Sequence, residues 1–448
     1  MNVASNRKMK LVGFMQAQNC SNYPASWRHP AAVSDFLTPA YYQRVAQILE
    51  SGKFHLAFFD DRLAMPDVYQ RDYRESVRHG VRVVKLDLIP LMTAMGLATR
   101  HLGIGGTYST TYHEPYHVAR AFATLDHMIG GRAAWNIVTS LNDSEAANFG
   151  HDSHLDHDTR YDRADEFMEV VLGHWKTWEP DAIVLDKANG VFANPDKVHR
   201  LDHAGPWFRS RGPFTVPPTP QGRPILIQAG QSGRGQRFAA RWGDLIFVLY
   251  PNFDFAKRSY AEFKSVIGET GRNPDEVCVS TCMYAVTGET RTIAEDKAAL
   301  IEKLAKPFDT LSLLSEVLNH DFSLHPMDEP FTDADMASIS GLQAIRDRVV
   351  KLSGNPHPTT RDFVQYSGRG TIHEMPLFVG TPKEVADIME EWFVGRACDG
   401  FVLAATHVPG TYEDFVRLVV PELQKRGLFR TEYEGDTLRE NLGIPLPA

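Results

Sequence analysis

The sequence has little cysteine and no long apolar run. Its four cysteines, among 448 residues, include no C-x-x-C pair, so the pattern favours reduced thiols over a disulfide framework. No segment approaches the roughly 20 consecutive apolar residues that a membrane-spanning helix requires. The first residues, MNVASNRKMK, contain no apolar core of a signal peptide. We therefore expect a cytoplasmic protein.

A surplus of positive charge is also absent. The chain carries 47 Lys and Arg residues against 56 Asp and Glu residues, which gives a formal net charge of −9. Nucleic acids and anionic membrane surfaces are bound by basic patches, and this balance does not favour them. We therefore expect neither a nucleic acid nor a membrane as a partner.

Three widespread catalytic motifs are missing as well. The sequence has no Walker loop and no G-x-G-x-x-G after a strand, so neither ATP chemistry nor a Rossmann nicotinamide site is supported. The nearest match to a G-x-S-x-G nucleophile elbow, Gly230-Gln-Ser232-Gly233, lacks the second glycine in register. If the protein uses a flavin, we expect no dedicated NADH domain.

Two histidine patterns resemble metal sites but do not predict one. His113 and His117 fit H-E-x-x-H, yet that motif needs a continuous helix, and Pro115 between them suits only the first turn of a helix. The second pattern is a histidine series within residues 151–158, a polar segment rich in aspartate with no cysteine partner. We expect no bound metal.

Short apolar runs alternate with helical patterns along most of the chain. This alternation is typical of βαβ units, and the sequence contains about eight of them, the number that closes a TIM barrel. Two stretches, about 178–222 and 305–375, break the pattern and are rich in proline and glycine. We predict a single α/β domain over residues 1–448, a TIM (β/α)8 barrel with two insertions, the second acting as a lid.

The segment from Pro224 to Arg241, PILIQAGQSGRGQRFAAR, predicts a strand that turns through glycines into a helix. Such a turn presents free backbone N–H groups and the positive end of a helix dipole to an anion. Glycines such as Gly233 let the backbone close around the anion, and Ser232 can add a hydroxyl donor. The pattern is that of a phosphate site, although an ordinary βα turn looks similar.

Polar residues follow several of the predicted strands, where the active sites of barrels lie. They are an acid, a hydroxyl, an amide, a histidine and a tyrosine, at Asp61, Thr107, Asn136, His157 and Tyr161. Any one of them alone is explained by a cap or a turn. Together with the glycine turn, they suit a flat, polar-edged ligand with a phosphate tail.

Longer motifs extend from about residue 10 to residue 443. They include WRHP (27–30), LESGKF (49–54), TYSTTYHEPYHVAR (107–120), TLDHMIGGRAAWNIVTS (124–140), HDTRYDRADEF (157–167) and QAGQSGRG (228–235). With these motifs the chain resembles the bacterial luciferase-like flavin monooxygenases. It is most similar to the nitrilotriacetate and dibenzothiophene-sulfone monooxygenase group, and within it to the sulfone branch.

The resemblance implies a barrel enzyme that uses FMN and O2. The FMN would arrive as FMNH2 from a separate NAD(P)H:flavin reductase, and the protein would be a homodimer or homotetramer. The implied cofactor residues are Asp61, Thr107, Asn136, His157, Tyr161, Ser232 and Gly233. The resemblance does not identify which residues are catalytic beyond those that position the flavin.

The resemblance also implies a class of substrate. The sulfone branch cleaves a carbon–heteroatom bond in a small, flat aromatic or heterocyclic compound, such as a sulfone, a riboflavin-like compound or a halogenated aromatic. The expected pocket walls are Phe14, Trp27, His29, Phe59 and Phe247.

Two alternatives stay open. An aminopolycarboxylate substrate would need several basic residues at strand ends, where Arg28 and Arg62 are the only near candidates. A non-catalytic FMN-binding barrel would bind the cofactor without turning over any substrate.

Overall fold

Parallel strands form a closed ring in the computed structural model, which describes residues 7–140, 142–231 and 233–447. In this part of the chain the ring has eight strands, each paired in parallel with the next, and the eighth pairs with the first, with Val402 opposite Val12. The strands are β1 (Lys10–Gln16), β2 (Leu56–Asp60), β3 (Gly103–Ser109), β4 (Ala133–Val138), β5 (Ile225–Gln228), β6 (Leu245–Val248), β7 (Cys278–Thr287) and β8 (Gly400–Ala404). The predicted TIM barrel is confirmed.

Helices follow the strands and cover the ring. They are α1 (Pro39–Ser51), α2 (Arg74–His79), α3 (Leu88–Leu97), α4 (Pro115–Met128), α5 (Asp143–Asn148), α6 (His157–Trp175), α7 (Gly233–Trp242), α8 (Phe253–Glu269), α9 (Arg291–Leu304), α10 (Pro307–Leu318), α11 (Asp333–Ser338), α12 (Gln343–Ser353), α13 (Thr360–Tyr366), α14 (Pro382–Val394), α15 (Gly410–Asp414), α16 (Val420–Lys425) and α17 (Leu438–Leu442). Within the described residues, none of them combines the length and apolar character needed to cross a bilayer.

Capping residues explain where several helices begin. Asp156 precedes α6 and accepts a hydrogen bond of 3.0 Å from the N–H of Thr159. Pro115 is the first residue of α4, where its missing N–H costs nothing. His113 therefore precedes the helix, and the two histidines of the H-E-x-x-H pattern do not share a helical face.

Side chains along the strands alternate between two apolar layers. On β1, Val12 and Phe14 belong to the layer inside the ring, whereas Leu11 and Met15 belong to the layer between the ring and its helices. The four cysteines are all free and buried. The core therefore consists of a filled ring wrapped by a second apolar shell.

The first insertion carries two short hairpins. They pair Ile183–Asp186 with Val191–Ala193, and His203–Ala204 with Arg209–Ser210. The first hairpin exposes apolar side chains, with Leu185 59% and Phe192 63% exposed. Exposed apolar side chains that lie together indicate an interaction surface.

The second insertion contains α10 to α13, which pack around an apolar cluster of their own. Two buried ion pairs hold α10 against the barrel loops. Arg28 donates to both carboxylate oxygens of Asp309, at 2.5 and 2.9 Å, and Arg62 pairs with Glu316. Arg28 and Arg62, the two basic residues near predicted strand ends, thus hold the second insertion against the barrel.

The end of the second insertion returns to the ring. Ile372 and Met375 join the layer inside the barrel. The strand Leu377–Gly380 then pairs in parallel with the end of β7, with Leu377 opposite Tyr284. Residues 367–376 therefore cover the carboxyl-terminal mouth of the barrel.

The opposite end of the barrel contains a polar cavity of about 340 Å³. Residues at the starts of strands line it, among them Lys10 and Asp399. Asp399 accepts hydrogen bonds from Arg7 and Tyr260, both at 2.8 Å, and lies 2.9 Å from Lys264 Nζ. Because this end of a TIM barrel serves stability and the mouth serves chemistry, we do not assign the active site to this larger cavity.

Candidate active site

The carboxyl ends of β3 and β4 bring two of the predicted residues into contact. Thr107 lies opposite Asn136 in the strand pairing, and Asn136 Nδ2 donates a hydrogen bond of 2.8 Å to Thr107 Oγ1. Thr107 Oγ1 in turn donates to the carbonyl oxygen of Phe59 on β2, also at 2.8 Å. Asn136 is 4% exposed, and its Oδ1 has no hydrogen-bond partner within the described residues. A buried acceptor without a donor is costly, so this atom calls for a donor that the described residues do not supply.

Asp61 follows β2 and shares a small cavity with Thr107. The cavity measures about 10 Å³ and is lined by Asp61, Leu63, Thr107, Ser109, His113, Val138, Ser140 and Glu145. Burial raises the pKa of the Asp61 carboxyl to about 7; the acids Asp60 and Glu145 add to the effect, and Lys85 opposes it. Near neutral pH this carboxyl therefore exchanges between its protonated and ionised forms.

The glycine turn meets Tyr161, as the sequence predicts for a phosphate site. The backbone of Gly233, at the start of α7, has φ +50°, a left-handed conformation that favours glycine. A Cβ atom added to Gly235 would lie 2.7 Å from Tyr161 Oη, so the hydroxyl rests directly against this turn. Tyr161 is 9% exposed, and Ser232 lies outside the described residues.

His157 is the first residue of α6 and lies beside Tyr161. Its ring centroid is 5.1 Å from that of Tyr161, while its Nδ1 is 2.8 Å from the carboxylate of Asp158. The side chain is 60% exposed. The structure thus brings His157 beside Tyr161, open to solvent.

The family of the chain follows from comparison with known proteins. A family model described as luciferase-like monooxygenase matches residues 18–400. The chain belongs to this family. The luciferase-like monooxygenase is 43% identical over 449 residues to a dibenzothiophene-sulfone monooxygenase from Rhodococcus erythropolis, with 98% of each chain covered.

Two further relatives of this luciferase-like monooxygenase cover nearly its whole length. N-acetyl-S-(2-succino)cysteine monooxygenase from Bacillus subtilis (strain 168) is 37% identical over 447 residues, with 99% of each chain covered. The crystal structure of riboflavin lyase with modified FMN and its substrate riboflavin superimposes with a TM-score of 0.89 at 32% identity. That superposition covers 98% of this chain and 97% of the other. The resemblance to flavin monooxygenases is confirmed.

Three phenylalanines line the interior of this luciferase-like monooxygenase near its mouth. Phe58 lies 5.0 Å from Phe14 and 4.8 Å from Phe247, measured between ring centroids. All three belong to the layer inside the ring, and we call them the aromatic wall. Phe14 and Phe247 were predicted from the sequence, whereas Phe58 was missed.

Phe59 does not belong to this wall. It is fully buried in the layer between the ring and the helices, with its ring centroid 6.1 Å from that of Tyr42 on α1. Successive side chains of a strand face opposite sides, so Phe58 and Phe59 cannot both point inward. The alternation of side chains along β2 therefore indicates that only one of these two phenylalanines faces the interior.

Trp27 and His29 lie at the rim, away from the aromatic wall. Trp27 is 45% exposed and donates a hydrogen bond of 3.1 Å to the carbonyl oxygen of His79. His29 stacks on His407, which follows β8, with ring centroids 3.7 Å apart. Burial lowers the pKa of His407 to about 4, and His29 adds to this effect. These two predicted residues are thus brought to the mouth but not into the interior.

Basic residues at the mouth were also missed. Lys85 Nζ lies 3.7 Å from Asp60 Oδ1, Arg369 pairs with Glu374, and Arg82 donates a hydrogen bond of 2.7 Å to the carbonyl oxygen of Asn22. Arg82 and Lys85 are more than 20 positions past the end of β2 in sequence, and Arg369 lies in the second insertion. No local pattern connects them with a strand end.

Proposed function

We propose that this protein is an FMNH2-dependent monooxygenase of a two-component system. It uses O2 to oxidise and cleave a carbon–heteroatom bond in a small, flat aromatic or heterocyclic compound. The observation that carries the proposal is the Oδ1 atom of Asn136, which is buried and has no hydrogen-bond partner among the described residues. It lies beside Thr107 and the Asp61 carboxyl, which titrates near pH 7.

The chemistry of these side chains fits a flavin. The polar edge of an isoalloxazine ring carries donors and acceptors that match an amide, a hydroxyl and a carboxyl. The N-terminus of α7 and the Tyr161 hydroxyl supply donors for a phosphate group. The enclosed space beside Asp61, about 10 Å³, holds one water molecule at most. We therefore expect the loops around it to move apart when FMN binds.

The chain's own residues then have distinct roles. FMN, when bound, supplies the electrons and the oxygen-activating chemistry. Asn136 and Thr107 orient the edge of the ring, and the Tyr161 hydroxyl donates to the phosphate. The aromatic wall excludes water from the reaction space. Asp61 can hold or release a proton at its Oδ atoms near pH 7.

The aromatic wall also supports the substrate class. Three rings in contact favour a flat apolar body, which matches the dibenzothiophene sulfone named for the Rhodococcus relative. We propose that residues 305–375 form the lid over this body, since Ile372 and Met375 already reach the interior layer.

We propose that a separate NAD(P)H:flavin reductase supplies FMNH2 by diffusion. We further propose a homodimer or homotetramer, supported by the apolar side chains exposed on the hairpin of residues 183–193. The four free cysteines support a cytoplasmic setting.

The test combines the purified chain with FMN, NADH, O2 and a general flavin reductase, with aromatic sulfones, halogenated phenols and riboflavin as substrates. We expect product, detected by mass spectrometry, only when the reductase is present. Asn136→Ala should weaken FMN binding roughly tenfold or more, because it removes a buried polar contact.

The matched control is Asn189→Ala, an amide in the exposed hairpin turn, which should leave FMN binding unchanged. NADH oxidation by the chain alone, or equal FMN affinity in the Asn136 variant and the wild type, would contradict the proposal.

A further inference from the structure

Arg82 lies at the mouth of the barrel without an acidic partner. It belongs to the loop between α2 and α3, and no carboxylate of the described residues lies within 4.0 Å of its guanidinium. Its Nη2 donates to the Asn22 carbonyl oxygen, while its Nε is buried and has no partner in the same part of the chain. Burial lowers the pKa of this guanidinium, but the more distant carboxylates of Glu374 and Asp60 outweigh burial, and the pKa of Arg82 is raised.

The backbone of Arg82 is strained as well. Its φ is +51°, in the left-handed region that residues other than glycine rarely adopt. Strain of this kind persists where the surrounding structure holds a side chain in a required place, and it concentrates at functional sites. The guanidinium is thus held in place despite a strained backbone and an Nε atom without a partner in the described residues.

The other charges around Arg82 are paired. Lys85 lies 3.7 Å from Asp60, and Arg369 is paired with Glu374. Burial lowers the pKa of the Arg369 guanidinium; the positive charge of Arg82 adds to this effect, while Glu374 opposes it. Arg82, Lys85 and Arg369 thus bring three positive charges against the two carboxylates of Asp60 and Glu374, and Asp61 adds a third negative charge only in its ionised form.

Arg82 is held at the carboxyl end of β1, because Asn22, whose carbonyl oxygen accepts from Arg82, also accepts a hydrogen bond from the side chain of Gln16, the last residue of β1. Tyr284, on β7, is fully buried in the same layer as the aromatic wall, and its Oη has no partner within the described residues. Burial raises the pKa of Tyr284; Glu374 adds to this effect, while Arg82 opposes it. Arg82 thus lies at the end of the strand that carries Phe14 of the aromatic wall.

We propose that Arg82 binds an anionic oxygen group of the substrate, such as a carboxylate, while the aromatic wall holds its flat body. The inference rests on the proposed function and narrows its substrate class to aromatic or heteroaromatic acids. A guanidinium matches a carboxylate with two parallel hydrogen bonds, for which its Nε and one Nη are the usual donors. Arg369, from the second insertion, approaches the same group from the lid.

The experiment measures equilibrium binding to the full-length protein with and without oxidised FMN. The probes are 2-naphthoate and its neutral counterpart of nearly the same shape, 2-naphthamide. The variants are Arg82→Gln, Arg82→Lys and a matched control, Arg78→Gln. Arg78 is on the neighbouring α2, with its side chain 73% exposed and paired with Glu75. The control removes one positive charge nearby without touching the mouth.

We expect the wild type to bind 2-naphthoate roughly ten- to a hundredfold more tightly than 2-naphthamide. Arg82→Gln should abolish this preference and leave the affinity for 2-naphthamide and for FMN unchanged. Arg82→Lys should retain part of the preference, because the charge remains but the planar fork is lost. Arg78→Gln should bind both probes as the wild type does.

Equal affinity of the wild type for the two probes overturns the inference, whether or not the Gln variant folds. If Arg82→Gln weakens the binding of both probes equally, Arg82 has a structural role. If the variant weakens FMN binding, Arg82 belongs to the cofactor site. Either result overturns the inference. The proposed function fails separately, if the wild type does not bind FMN or makes no reductase-dependent product.

Discussion

Asp61 holds a proton at a pH where most carboxyl groups have lost theirs. Its burial at the end of β2 raises its pKa from the ordinary 3.8 to about 7, and the neighbouring acids Asp60 and Glu145 contribute in the same direction. An acid whose pKa lies near the working pH can both donate and accept a proton efficiently. The same burial also makes the stability of the protein depend on pH.

We expect the wild type to lose stability relative to Asp61→Asn as the pH rises from about 4 to 7. In the unfolded chain Asp61 releases its proton near pH 3.8, but in the folded chain only near 7. The stabilising contribution is therefore complete below pH 4 and is lost as the pH rises through 7. Allowing for partial exposure, the change is on the order of 2 kcal/mol.

Urea denaturation of both proteins across this pH range measures the difference. Asp152→Asn is the control, since that side chain is exposed and makes no hydrogen bond or ion pair within the described residues. A constant difference in stability between wild type and Asp61→Asn from pH 4 to 7 would show that the folded Asp61 titrates normally.

Single residues also show how far the sequence defines the candidate site. Thr107, Asn136 and Asp61 could be found because polar residues directly after a strand converge at the mouth of a barrel. The prediction of Phe59 as a pocket wall is wrong, because strand alternation turns Phe58 to the interior and Phe59 to the helices. Arg82 could not be found, because its place depends on how a long loop folds back over the mouth.

At the scale of elements, the contact between α6 and α7 is decisive. The Tyr161 hydroxyl, from α6, rests against Gly235 in the first turn of α7, where only a residue without a Cβ leaves it room. The two helices thus place a phenolic donor beside free backbone N–H groups. This is the combination that a phosphate group needs.

Gly235→Ala should weaken FMN binding roughly tenfold, because the new Cβ would displace the Tyr161 hydroxyl from its position 2.7 Å away. The same loss is expected in Tyr161→Phe, with little further loss in the double variant, because both changes act on one hydroxyl. Fluorescence titration with FMN measures all three.

Gly268→Ala provides the control. A Cβ at Gly268, in α8, would meet Pro274 at an ordinary 3.7 Å, so FMN affinity should not change. Additive losses in the double variant would mean that the Tyr161 hydroxyl and the turn act independently, contrary to the proposed phosphate site.

The strands and helices of the barrel were predictable because the spacing of apolar residues and the helix-capping residues indicate the same elements. The strand and helix alternation gave the eight units, and Pro115 correctly indicated the start of α4. The two insertions gave no such signal, since their hairpins and short helices are held by distant partners such as the Asp309–Arg28 pair. Contacts of this kind join residues far apart in the sequence, so no local pattern predicts them.

At the scale of the whole molecule, the two ends of the barrel have separate tasks. The predicted site residues Asp61, Thr107 and Asn136 gather at the mouth. The other end is held by Asp399 and its partners Arg7, Tyr260 and Lys264.

Asp399→Asn should therefore lower the free energy of unfolding by about 2–4 kcal/mol, because it leaves cationic partners without their carboxylate. FMN binding should be unchanged, since Asp399 precedes β8 at the end opposite the mouth. Chemical denaturation and FMN titration of the same preparation provide the two values. Reduced FMN affinity in a folded Asp399→Asn protein would show that the two ends are coupled.

The buried thiols have a practical consequence for following the lid in solution. Burial raises the pKa of all four, to about 11 at Cys278 and about 12 at Cys282, and a maleimide dye reacts with the thiolate form. The folded wild type should thus resist labelling. A pair of cysteines introduced at exposed positions, one on α12 and one on α8, could carry a donor and an acceptor dye. Energy transfer between the dyes would then report the movement of the second insertion in real time.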